Sequence, residues 1–180
     1  MKSKTVILSI AFGLATHSWA QEGNMFPDLL GETLESNSLV IPGDTPGKIT
    51  LVGLAYSKKA EATLKTWYTP MYDKFVLKRG IFDQMYDVNL YFVPMFTGPK
   101  KAAYNANLKQ LKESNRKDLF PYILFYKGGL DPYVDELKMD NKNLPYFFVL
   151  DETGKILYST QGLYSEQKME KIEEILDSRL

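Results

Sequence analysis

Apolar residues along the chain fall into runs of two kinds. Residues 49–55 (ITLVGLA) and 88–96 (VNLYFVPMF) are continuous, short and rich in β-branched or aromatic side chains, which predicts strands covered on both faces. Pro94 lacks an amide hydrogen, so the second strand is expected to end there. Residues 58–78 instead place Ala60, Leu64, Trp67, Met71 and Phe75 at helical spacing on one face. Ser57 stands where its hydroxyl can accept a free amide hydrogen of the first turn. Pro70 falls inside this helix and predicts a kink or break.

The remaining segments extend the alternation. Residues 100–112 read as an amphipathic helix with Ala103, Leu108 and Leu111 turned inward, and residues 122–126 (YILFY) as a short strand stopped by Gly128-Gly129. Asp131-Pro132 opens a short helix through Lys138, because proline suits a first helical turn. Residues 146–150 (YFFVL) and 155–159 (KILYS) form a hairpin about the turn Asp151-Glu152-Thr153-Gly154, and residues 165–176 a last helix burying Met169, Ile172, Ile175 and Leu176. Residues 21–48 carry Gly, Pro, Asn, Ser and Asp between small apolar pieces, which predicts short strands and turns. Strands alternating with helices define an α/β fold, a central mixed sheet flanked by helices. No repeat or linker divides residues 21–180, which are expected to form one domain.

The first twenty residues are different. Lys2 and Lys4 precede an apolar run from Thr5 to Ala15, followed by small residues at Ser18 and Ala20. This predicts a signal peptide cleaved after Ala20, since the run falls short of the ~20 residues a spanning helix needs. The expected location is the periplasm or the extracellular space, with no stable membrane anchor after cleavage.

Charge and composition narrow the chemistry. A formal net charge of +0 gives no electrostatic reason to expect nucleic acid. The 180 residues contain no cysteine, and His17, the one histidine, lies in the segment expected to be removed. Thiol–disulfide exchange and peroxidatic chemistry need a thiolate and are excluded. The imidazole base and the common zinc, copper and haem ligand sets go with them, and no metal or cofactor is expected. Asp131, Asp135, Glu136 and Asp140 lack the ordered spacing of a calcium loop and read as a solvated face. The aromatic residues, Trp67 among them, read as core.

Asn143-Leu144-Pro145-Tyr146, continuing through Leu150, Asp151 and Gly154 to Ile156, resembles the cis-proline hairpin of TlpA-like and peroxiredoxin-like thioredoxin domains. Phe26-Pro27-Asp28 through Gly31 is similar to the opening of such domains, and Gly47-Lys48-Ile49-Thr50-Leu51-Val52 to their approach into the first central strand. Together the three pieces imply a thioredoxin-like fold over most of residues 25–178. The family places paired cysteines after that strand; here the sequence is Ala55-Tyr56-Ser57-Lys58-Lys59-Ala60. Ser57 has no neighbouring histidine to activate it, and two lysines put positive charge at the positive end of a helix. A second, more distant resemblance, carried by residues 51–67 and by Leu137-Lys138-Met139-Asp140-Asn141, is to the mitochondrial ATP synthase assembly factors, which are also thioredoxin-like and non-redox.

These resemblances imply a redox-inactive exported protein that binds or assists assembly of a periplasmic or envelope protein partner. The expected contact surface is Tyr56, Ser57, Lys58 and Lys59 at the helix start, with Leu144, Pro145 and Tyr146 on the facing loop. In the family the cis-proline loop lies against the substrate chain, so Pro145 is expected to be cis. Two alternatives stay open: a non-thiol enzyme or small-anion site in the cleft near Lys58, Lys59 and Tyr146, and a scaffold whose interaction surface lies elsewhere, such as residues 100–141.

Overall fold

The computed structural model describes residues 22–34, 37–98, 104–113 and 116–180. The expected signal peptide, Ala103 and the side chain of Leu111 lie outside the described residues. Seven strands form one mixed sheet: β1 (Leu29–Thr33), β2 (Ser38–Ile41), β3 (Thr50–Ala55), β4 (Asn89–Thr97), β5 (Leu124–Gly128), β6 (Tyr146–Leu150) and β7 (Ile156–Gln161). Their spatial order is β2-β1-β5-β4-β3-β6-β7. β3 and β4 pair in parallel, as do β4 and β5; the other neighbours are antiparallel. Among the described residues the α-helices are α1 (Lys58–Phe75), α2 (Tyr104–Lys112), α3 (Asp131–Glu136) and α4 (Glu166–Asp177).

The continuous apolar runs are explained by two cores, one on each face of the sheet. Every residue of β3 and of β6 is buried. On one face Leu51, Phe92, Phe147 and Val149 meet Leu64, Trp67 and Met71 of α1 and Ile172 and Leu176 of α4. On the other, Val52, Leu54, Val93 and Phe148 meet Phe26, Tyr133 and Leu137. Strands with apolar side chains on both faces are the pattern of a sheet covered on both sides. Gly53 sits where the first face is tightest: a Cβ there would lie 2.7 Å from the Phe147 ring and 2.8 Å from Leu64 Cδ1. The Trp67 ring stacks on Phe147, centroids 4.7 Å apart and planes 14° apart, and its indole N–H donates to the carbonyl of Gly162 at 2.9 Å.

Both proline expectations are corrected. β4 runs through Pro94 to Thr97. Pro94 is the last residue paired to β3, opposite Ala55, and the β5 ladder begins at Met95 opposite Tyr126. The missing amide hydrogen therefore falls at the end of the β3 ladder, between the Phe92–Ile123 bridge and the start of the β5 ladder. α1 likewise runs unbroken through Pro70. The carbonyl that loses its donor belongs to Thr66, an exposed residue open to water, while Ala60, Leu64, Trp67, Met71 and Phe75 stay buried on the opposite face. Burial of five side chains outweighs the roughly 3 kcal/mol a helix-interior proline costs.

The anticipated face of α2 is seen only in part. Leu108 packs at the edge of the first core, but the anchor is Tyr104, whose ring meets Phe96 and Phe125 edge-on and whose hydroxyl donates to Glu32 at 2.7 Å. Among the described residues no helix is long and apolar enough to cross a membrane.

Candidate functional site

α1 begins as its sequence demands. Ser57 is extended (φ −141°, ψ 156°), and its Oγ accepts from the amide of Ala60 at 3.0 Å. Lys58 and Lys59, next in the chain, are exposed. β3 and β6 bring the second half of the expected surface alongside. Leu54 pairs with Tyr146, so Tyr56 leaves the sheet beside Leu144. The helix start and the loop before β6 thus share one end of the sheet.

The individual side chains divide into two groups. Tyr56, Pro145 and Tyr146 are buried and Ser57 and Leu144 half-buried, leaving Lys58 and Lys59 as the exposed members. The Tyr56 hydroxyl donates to the carbonyl of Met139. The Tyr146 hydroxyl accepts from the amide of Asn141 at 2.7 Å. The two tyrosines therefore fasten the segment 139–141 to the sheet. Burial first, then the neighbouring Tyr146 and Asp140, push the Tyr56 phenol up to about 12; burial also raises Tyr146, against the Asn141 amide bond and with help from Asp140. Both remain protonated at neutral pH, so neither supplies a base.

The Tyr146 ring is accordingly turned inside, whereas Lys58 and Lys59 stand exposed. The expected cis bond at Pro145 is also corrected: among the described residues the cis peptide is Ile41–Pro42. The chain instead reaches β6 through a turn in which the Leu144 amide donates to Asn141 at 3.1 Å, while the Pro145 carbonyl accepts from Gly162 at 2.9 Å. Asp131, Asp135, Glu136 and Asp140 all stand exposed, and no group of three or more acidic or histidine side chains suited to a metal ion occurs among the described residues.

One surface went unread in the sequence. Between α1 and β4, Ile81 is 90% exposed and Phe82 73%, near Met85 at 54%. Their only signal is an apolar pair set between Gly80 and Asp83, without periodicity. Asp83 is buried beneath them, its carboxylate accepting from the Gly80 amide at 2.6 Å and facing Lys74 Nζ at 3.3 Å.

Solved structures with this fold include the exposed lipoprotein thioredoxin Etrx1 of Streptococcus pneumoniae (12% identity, 82% of this chain and 99% of that one, TM-score 0.55). Yeast Sco1 shares 16% identity over 86% of this chain and 95% of its own, with a TM-score of 0.50. BsSco, a member of the Sco family of cytochrome c oxidase assembly proteins, shares 15% identity over 84% of this chain and 91% of its own, with a TM-score of 0.58. At these identities the likeness establishes the thioredoxin-like fold. Among curated proteins none matches the chain in sequence. The family described as ATP10 protein matches residues 15–177. The resemblance first read as the more distant of two therefore spans nearly the whole chain, which belongs to the ATP10 protein family.

Proposed function

We propose that this protein is a redox-inactive, exported, noncatalytic factor that binds a protein partner and assists its assembly in the periplasm or cell envelope. The observation that carries the reading is the end of β3. A thioredoxin-like scaffold keeps its sheet and the capped helix that follows, yet holds Ser57-Lys58-Lys59 where related domains hold their thiols. Membership of a family resembling ATP synthase assembly factors supports an assembly role, and makes an ATP synthase subunit the first client to examine. The contact surface on this reading is Lys58, Lys59 and Leu144, with Ser57 between them and with Tyr56, Pro145 and Tyr146 as its buried support.

The test is crosslinking in intact cells followed by mass spectrometry, comparing wild type with K58E/K59E and with L144D. Loss of a specific crosslinked envelope protein in the variants supports the reading. Identical crosslinks from all three proteins would remove this surface from the function.

A further inference from the structure

We propose that the groove between residues 77–86 and α4 is a docking site for an apolar protein segment that carries basic residues. The groove, of about 620 Å³, has Ile81, Phe82, Met85 and Leu180 on its apolar walls. These four are between 54% and 90% exposed and lie together, whereas an isolated surface leucine such as Leu163 is ordinary.

The apolar wall is held outward by built structure. Lys74 of α1 bridges Asp83 at 3.3 Å and Glu173 of α4 at 2.9 Å, and the Tyr86 hydroxyl donates to Asp177 of α4 at 2.7 Å. The Asp83 carboxylate closes the turn at Gly80, whose Cβ position it fills: an added methyl would lie 2.7 Å from Oδ2. A segment fixed this way at three points cannot fold its phenyl ring back into the core. Exposure of Phe82 is thus a property of the packed state.

Charge selects the occupant. Among the described residues that line the groove, Asp83, Glu173 and Asp177 face one cation, Lys74. The basic side chains beside it pair outside the groove: Arg79 with Asp73 at 3.5 Å and Arg179 with Glu152 at 3.5 Å. An apolar surface beside excess carboxylate favours an apolar segment with lysine or arginine at its margins and disfavours an acidic one. This site is separate from the surface at Lys58 and Leu144, so it stands or falls on its own.

Fluorescence anisotropy of the purified protein with a labelled 18-residue amphipathic helix of leucine and lysine tests the proposal. Matched leucine/glutamate and serine/lysine peptides should bind at least about tenfold more weakly, and I81S/F82S should weaken leucine/lysine binding by a similar factor. L163S should bind as wild type does, and unchanged urea midpoints should confirm that the variants fold. Equal binding of the leucine/glutamate peptide, or undiminished binding by I81S/F82S, overturns the proposal. So does self-association or vesicle binding that I81S/F82S abolishes while peptide binding is unaffected, because the groove would then belong to a second copy or to a lipid surface.

Discussion

Replacing Gly53 by alanine should destabilise the protein, although such a change in a strand ordinarily helps. Gly53 lies in β3 without a positive φ, so alanine can adopt its backbone, and the reduced freedom of the unfolded chain would stabilise by about 0.4–1 kcal/mol. Against this stands the space. The new methyl would meet Phe147 Cε2 at 2.7 Å, Phe147 Cδ2 at 2.8 Å and Leu64 Cδ1 at 2.8 Å. Neither neighbour can step aside cheaply, because Leu64 is fully buried and the Phe147 ring is clamped under Trp67. Overpacking of this kind costs about 1–3 kcal/mol, leaving a net loss of about 1–2 kcal/mol. At this chain length that lowers Tm by roughly 2–8 °C. Urea unfolding with an unchanged m-value is the assay. In a Phe147→Leu background, which removes the ring and with it Cε2, one of the two Phe147 atoms that crowd this site, Gly53→Ala should cost measurably less, as contacting positions couple. A midpoint equal to or above wild type for the single variant would refute the account of why this position is glycine.

Trp67→Phe removes the indole N–H that reaches Gly162 and part of the stack on Phe147, and should cost about 1–3 kcal/mol; tyrosine fluorescence or far-UV circular dichroism in urea reads it. Tyr56→Phe leaves the Met139 carbonyl without the phenol donor and should cost about 1 kcal/mol, seen as a lower urea midpoint with an unchanged m-value. Burial alone would raise the Asp151 carboxyl, but the Thr153 hydroxyl at 2.6 Å and the amides of Lys155 and Thr153, each at 2.9 Å, hold it below the usual carboxylate range. Its folded value lying under an unfolded one of about 3.9, its contribution is complete above that pH and disappears as pH falls through the folded value. The gap in urea midpoint between wild type and Asp151→Asn should therefore narrow from pH 7 toward pH 2, and parallel pH profiles would contradict it.

How much of this was legible in the sequence depended on whether the controlling contact was local. Ser57 caps α1 as its position foretold, and the turn from Asp151 to Gly154 follows from side chains within a few residues. The two prolines misled because sequence shows what proline removes locally and not what the fold supplies: the end of a ladder at Pro94, and the buried face of the helix that carries Pro70. Tyr146 looked like a contact residue because it follows the loop. Only the pairing of β6 with β3 and β7, and the cover over that face, shows that its ring is inside. Ile81 and Phe82 present the converse: an apolar pair in a chain of this composition reads as core, and only the bonds from Lys74, Gly80 and Tyr86 show that it is pushed out. Lys58, Lys59 and Leu144 lie at one end of the sheet because Leu54 pairs with Tyr146, a register that no local sequence signal carries.

The ties from α4 to the segment before β4 also impose an order in time. Glu173 and Asp177 follow every strand in the chain, so during synthesis Lys74 and Tyr86 emerge with no carboxylate from α4 to hold them. The turn at Gly80 and the Lys74–Asp83 pair can form without α4, but the segment around Ile81 and Phe82 gains its ties to Glu173 and Asp177 only once the last helix has been made and has packed. A segment that reads this face would therefore meet it complete only on the finished protein.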